Sequence, residues 1–332
     1  MDFTTLAGLA SGHAEARILQ TAVSLGLFAA LEDRSLDART VALTLHTDVR
    51  ATELLLNALV ALALLEKRGA FFSLNPTSST YLIHSSNKYF GDMVLFESSL
   101  WDCWGALEKT IRSGNPARET KMYQEDLRET ERFIYAMHSL VKARGDTELL
   151  KDKLDLSGVT DLLDIGSGPG TYPIHFCRQY PELRITIFDL PGTLKITERF
   201  VQASGFHNRL RLIPGDYRFD SIPGRYQLVF LSNIIHAESP ETNAALVTKV
   251  YHCLEQSGRL VIKDHILDDN LTHPTVGALF SLLMLLTTGQ GRCYSFSEVK
   301  RWLEATAFKN VVEISLPHPL TSSLVIAAKE EL

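Results

Sequence analysis

The chain has 332 residues, with 33 Lys and Arg against 39 Asp and Glu, a formal net charge of −6, 45% hydrophobic residues and 22% charged ones. That length supports a sizeable core in one large or two ordinary domains. The composition is that of a soluble globular protein, and the negative balance argues against a general binder of nucleic acid or acidic membranes. Four cysteines, Cys103, Cys177, Cys253 and Cys293, stand far apart with no C-x-x-C pair, which fits a reducing cytoplasm and offers no metal site.

Residues 1–17 lack a basic segment followed by an apolar run, so no signal peptide is expected. The apolar stretches 54–65 and 276–286 are too short to span a bilayer and read as buried helices. Helices are predicted over 14–31, with Gly26 near a helix end, over 37–45, and over 49–66 with Asp48 as N-cap. Two short apolar runs around Arg68-Gly69 predict a β-hairpin. Helix–helix–helix–hairpin is a winged-helix plan for residues 1–90. The helix at 54–65 is apolar on nearly every face, and with the apolar 18–31 segment it exceeds what a small domain covers, which predicts a homodimer. Residues 91–150 read as a helical connector, 91–113 and then 125–151, broken at Asn115-Pro116. From Val159 the chain alternates strand and helix, with strands predicted at 160–165, 184–189, 210–214, 227–232, 259–264, 310–315 and 322–328. That is a doubly wound α/β sheet over 151–332, with the last two strands as a reversed hairpin at one edge.

The most informative stretch closes the first of these strands. Asp164 and Ile165 run into Gly166-Ser167-Gly168-Pro169-Gly170, and nineteen residues later Asp189 ends the next apolar run. Strand, glycine turn, helix and an acid after the next strand make a nucleotide half-site. A dinucleotide fingerprint would put its third glycine at 171, which is Thr171. Asp164 at the strand end repels a pyrophosphate and favours an amino group. Two acids so placed suit a zwitterionic nucleoside, S-adenosylmethionine, better than a dinucleotide.

Ligands of open α/β sheets bind at the carboxyl ends of the strands. There the sequence places Gly166, Gly168 and Gly170, then Asp189 and Leu190, then Gly215-Asp216-Tyr217, then Ser232, Asn233 and His236, then Asp264 with His265. Taken singly, each acid also reads as a helix cap, and His236 as a structural histidine. As a set they read as a site. Asp189 is placed to accept from both ribose hydroxyls, and Asp216 to accept from an adenine amino group with Tyr217 or Leu190 on the ring faces. His236 is the candidate base, and Asp264 either orients it or is a satisfied strand-end carboxylate. Strand alternation points Lys263 and His265 away from Asp264, so neither receives a role.

These residues resemble a known family, the class I S-adenosylmethionine-dependent O-methyltransferases of the plant caffeic acid and hydroxyindole (acetylserotonin) type, in their bacterial branch. The resemblance covers nearly the whole chain through LLDIGSGPG (162–170), IFDLP (187–191), GDY (215–217), LSNIIH (231–236), GRLVIKDHIL (258–267) and GRCYSFSEV (291–299). It implies a winged-helix dimerisation domain in front of a Rossmann-like methyltransferase sheet. It also implies S-adenosyl-L-methionine as cofactor with S-adenosyl-L-homocysteine as product, and a small-molecule hydroxyl acceptor. Carried over by residue, it implies His236 as general base, Asp189 at the ribose and Asp216 on the adenine side. It places Asp264 where plant members have a glutamate beside the base, and Met137 close to the sulfonium. The cofactor set is therefore Asp164, Gly166, Gly168, Gly170, Asp189, Leu190, Asp216, Tyr217, Ser232 and Met137, with no metal.

Two departures bear on the acceptor. Ala237 and Glu238 follow His236 where plant members have Asp and Trp, and Arg292 and Cys293 lie where a second glutamate is expected. Methylation of S, N or C, or a member that no longer transfers methyl, keeps the same fold. A winged-helix ligand-responsive regulator is the reading of a different class. A recognition helix needs basic and amide side chains, and 49–66 offers only Arg50 and Asn57.

Overall fold

A computed structural model describes residues 1–118 and 126–330 and divides into two compact units, Met1–Trp101 with Tyr135–Arg144, and Asp102–Ile134 with Gly145–Leu332. The predicted connector helix beginning at 125 starts outside the described residues. Its described part is the helix Leu127–Arg144, followed by Asp146–Lys151.

In the first unit, Gly26 at φ 73° ends the predicted long helix, dividing it into His13–Ser24 and Leu27–Ala30. Asp37 accepts from the Thr40 amide to cap Ala38–Leu45, and Asp48 accepts from Ala51 to cap Val49–Ala61. The hairpin forms as β2 (Leu65–Arg68) and β3 (Phe71–Leu74) around Gly69, whose φ of 61° favours glycine. A strand absent from the sequence reading, β1 (Leu36–Asp37), pairs antiparallel with β3. Leu27, Phe28, Leu31, Val41, Leu56, Leu59 and Phe72 form the core.

The helix predicted over 49–66 is corrected. It stops at Ala61, buries only Thr52, Leu56 and Leu59, and leaves Leu54 59% exposed, because Leu65 and Glu66 belong to β2. The exposed apolar surface continues at the N-terminus, where the helix Phe3–Ser11 buries no residue.

The second unit holds a seven-stranded sheet of β4 (Asp161–Ile165), β5 (Arg184–Asp189), β6 (Leu210–Pro214), β7 (Tyr226–Ser232), β8 (Leu254–Asp264), β11 (Lys309–Ser315) and β12 (Ser323–Ala328). Their order is β11-β12-β8-β7-β4-β5-β6. The strands from β8 to β6 are parallel, while β12 runs antiparallel to β8 and pairs with β11 as the edge hairpin. Leu163, Val229, Leu231, Leu260 and Ile262 are fully buried, as parallel strands covered on both faces require. Two further strands, β9 (Ile266–Leu267) and β10 (Tyr294–Ser295), pair in parallel.

The apolar helix foreseen at 276–286 runs Thr275–Thr287, but only Gly277, Met284 and Leu286 are buried in it, and Leu279 is 58% exposed. Among the described residues no helix is long and apolar enough to cross a membrane.

Candidate cofactor and catalytic site

The strand order places β4 between β7 and β5, all three parallel, so the turns after these strands meet at one end of the sheet. After β4, Gly166, Gly168 and Gly170 all have positive φ (68°, 59° and 72°). The positive φ at Gly166 favours glycine there, and a Cβ would also displace the tip of the Ile234 side chain. Gly170 caps the helix Thr171–Gln179. The Thr197 hydroxyl, on the helix Pro191–Ser204, donates to the Gly168 carbonyl at 2.6 Å and fixes the turn from the far side.

Two buried carboxyls frame this turn. Asp164 is 1% exposed; its Oδ2 accepts from the Ser167 hydroxyl at 2.8 Å and its Oδ1 has no partner. Burial pushes its carboxyl up to about 8. Asp189 accepts the Gly168 amide on Oδ2 at 2.8 Å and the Leu190 amide on Oδ1 at 2.7 Å, and burial raises it to about 6 against those hydrogen bonds. An unpartnered buried acid oxygen beside a glycine cradle fits an ammonium group, and an acid closing the next strand fits ribose hydroxyls.

The β6 turn differs in detail from the sequence reading. Both oxygens of Asp216 are engaged by the Arg218 guanidinium at 2.6–3.2 Å. Burial pushes its carboxyl up, but pairing with Arg218 outweighs this and holds it below the ordinary range. The Tyr217 hydroxyl donates to Glu238 Oε1 at 2.7 Å. Ser232 ends β7 half-buried, its hydroxyl accepting from Asn233 at 3.2 Å.

His236 sits on the 3₁₀ turn Ile235–Ala237, which Asn243 holds by donating to the Ile235 carbonyl at 2.8 Å. Nδ1 of His236 lies 2.7 Å from Asp264 Oδ1, and the ring packs edge-on to Phe280 with centroids 4.9 Å apart. Asp264 is fully buried and also accepts from the His265 amide at 2.7 Å. Burial pushes its carboxyl up, yet His236 and His265 hold it below the ordinary range. An ionised carboxylate at Nδ1 selects the tautomer with the proton there, leaving the Nε2 lone pair basic. Nε2 has no protein partner among the described residues.

His265 lies past the end of β8, so strand alternation does not govern it, and its ring tilts onto Phe280 at 4.9 Å while Nδ1 lies 2.9 Å from the Thr321 carbonyl. Lys263, given no role, is fully buried 3.5 Å from Asp146, which accepts from Tyr172. Arg292, where a second acid was expected, forks onto Glu298 at 2.6 and 3.2 Å. Gly291 packs against the His236 turn, where a Cβ would strike the His236 carbonyl. Met137 lies in the other unit, half-buried on the helix Leu127–Arg144. Sequence reasoning missed Ser167, Thr197 and Asn243, and only Ser167, three residues from Asp164, carried a local signal.

An O-methyltransferase domain model matches residues 112–309, and an O-methyltransferase dimerisation domain model matches 7–84. A 3-hydroxy-5-methyl-1-naphthoate 3-O-methyltransferase from Streptomyces sahachiroi is 29% identical, covering 98% of this chain and 95% of that protein. The acetylserotonin O-methyltransferase of Bos taurus is 28% identical over 93% of each. Less similar relatives are named as carbon and nitrogen methyltransferases. Human N-acetylserotonin methyltransferase, solved in complex with S-adenosylmethionine, superposes with a TM-score of 0.90 at 25% identity, covering 100% of this chain and 99% of that one. The chain belongs to the S-adenosylmethionine-dependent O-methyltransferase family and carries that family's N-terminal dimerisation domain.

Proposed function

We propose that the chain methylates a hydroxyl of a small aromatic or polyketide-like molecule, with His236 as general base and Asp264 as its orienting partner. The observation that carries this reading is the 2.7 Å contact of His236 Nδ1 with buried Asp264, which leaves Nε2 free at the strand ends. When bound, S-adenosylmethionine supplies a methyl group already activated on a sulfonium. Asp164 is placed to pair with its ammonium through Oδ1, and Asp189 and the glycine turn to hold the ribose. Leu190, Asp216 and Tyr217 are assigned to the adenine side, and Ser232 to the same cofactor site.

A phenol with a pKa of about 10 is mostly protonated at neutral pH, so a base at hydrogen-bond distance speeds its attack. Nε2 takes that proton, and Asp264, held ionised by its two partners, stabilises the imidazolium. The half-buried Phe280 gives an aromatic acceptor an apolar wall next to the base.

The reading extends to residues 1–90 as the dimerising part of a homodimer, 91–150 as connector and 151–332 as the methyltransferase domain. A hydroxyl acceptor is favoured over carbon or nitrogen because the base and its orienting acid are both present, and proton removal is what a hydroxyl requires. An assay of S-adenosylhomocysteine release against a panel of naphthols, hydroxyindoles, thiols and amines tests it. Turnover confined to hydroxyls supports the assignment, and turnover confined to amines or thiols overturns it.

A further inference from the structure

Tyr217 follows β6 and Glu238 follows β7. In the sheet these strands are not neighbours, because β4 and β5 lie between them. The 2.7 Å bond from the Tyr217 hydroxyl to Glu238 Oε1 therefore links the two loops flanking the strand ends that carry the glycine turn and Asp189. Both ends of the link are secured. Lys249 Nζ donates to the carbonyls of Tyr217, Arg218 and Asp220 at 2.7–3.2 Å, and the Glu238 carbonyl accepts from the Tyr294 hydroxyl at 2.5 Å. Those contacts fix backbone on either side. The ring of Tyr217 packs against the buried core beneath the sheet, and the hydroxyl bond to Glu238 is the polar contact that fixes its tip.

We propose that Glu238 is a positioning residue that holds the Tyr217 ring as a wall of the adenine pocket. The inference rests on the cofactor site proposed above. A tyrosine pinned by its hydroxyl presents a fixed face to the base at little ordering cost on binding, whereas an untethered ring must be immobilised when the cofactor enters. His236 is held independently by Asp264 and by the Asn243 contact to its turn, so the effect belongs to cofactor affinity and not to proton removal.

Titration calorimetry with S-adenosylhomocysteine on the full-length protein tests this, with thermal melts to monitor folding. Tyr217→Phe and Glu238→Leu should each weaken binding about three- to tenfold, the effect of one lost hydrogen bond. The double variant should be no weaker than either single one. Glu238→Gln, whose amide oxygen still accepts, should bind like wild type, and the loss in Glu238→Leu should appear in the cofactor KM rather than in kcat. Additive losses, an affinity unchanged in Tyr217→Phe, or a Glu238→Gln variant that binds more weakly than Tyr217→Phe would each overturn the proposal. If Glu238→Leu does not fold, Tyr217→Phe and Glu238→Gln still decide it. Failure of the wild-type protein to bind S-adenosylhomocysteine would instead remove the cofactor site itself.

Discussion

Asp164 has one oxygen held by Ser167 and one with no partner, in a place that water does not reach. Its carboxyl titrates near 8 in the folded chain, against an ordinary value of 3.8. Between those limits the native state keeps a proton that the unfolded state has lost, so stability falls as pH climbs through that window and is level above it. Asp164→Asn is neutral throughout and removes the slope. Thermal melts should show the variant gaining on wild type between about pH 5 and about pH 8.5. The same substitution should weaken S-adenosylmethionine about ten- to a hundredfold, because a charge-assisted contact to the ammonium is lost. Wild-type affinity should rise with pH up to about 8, as the carboxyl must ionise to pair. Unchanged affinity in a folded Asp164→Asn would remove this residue from the site. Asp189 shows a related economy, since the acid assigned to the ribose also fastens the Gly168 amide and thus holds the turn in shape.

At the scale of elements, the helix Thr275–Thr287 sets Phe280 between the rings of His236 and His265, each at 4.9 Å. Phe280→Ala should raise the acceptor KM about tenfold or less, the worth of one aromatic contact, while leaving S-adenosylmethionine affinity unchanged. Steady-state kinetics with each substrate varied in turn check it, and an effect confined to the cofactor KM would contradict the assignment. This contact was not legible in the sequence, since residues 236, 265 and 280 carry no spacing signal that brings them together. What was legible followed from local pattern. The strands at 184–189 and 210–214 have the predicted bounds, because each is an apolar run ending in a turn. The helix at 49–66 was overextended because residues 62–66 are all good helix formers, yet pairing with β3 claims Leu65 and Glu66 for β2. β9 and β10 are two residues each and rest on tertiary pairing, which no local pattern announces. The site acids were visible as strand ends. Thr197 and Asn243, which donate to the Gly168 and Ile235 carbonyls, were not, being held there by packing of the helices that carry them.

For the whole molecule, the dimerisation domain and the N-terminal helix bear on assembly. Phe3, Leu6 and Leu9 on the helix Phe3–Ser11 are 83%, 57% and 67% exposed, and Leu54 adds to the uncovered apolar surface of the first unit. Exposed apolar surface of this extent marks an interface. Light scattering should give about twice the 37.0 kDa chain mass. The double substitution Leu6→Glu with Leu9→Glu should shift the protein toward monomer while leaving the far-ultraviolet spectrum nearly unchanged. A wild-type monomer at micromolar concentration would contradict the homodimer.

The proposed methyl transfer turns on proton removal by His236. The direct measurement is the rate of S-adenosylhomocysteine formation by wild type and His236→Gln on a weakly acidic hydroxyl acceptor, with cofactor affinity measured on both. The account predicts turnover lower by roughly 10²–10⁴-fold in His236→Gln, with cofactor affinity unchanged and a smaller deficit for an acceptor already ionised. Equal rates for the two proteins on the weakly acidic acceptor would contradict it.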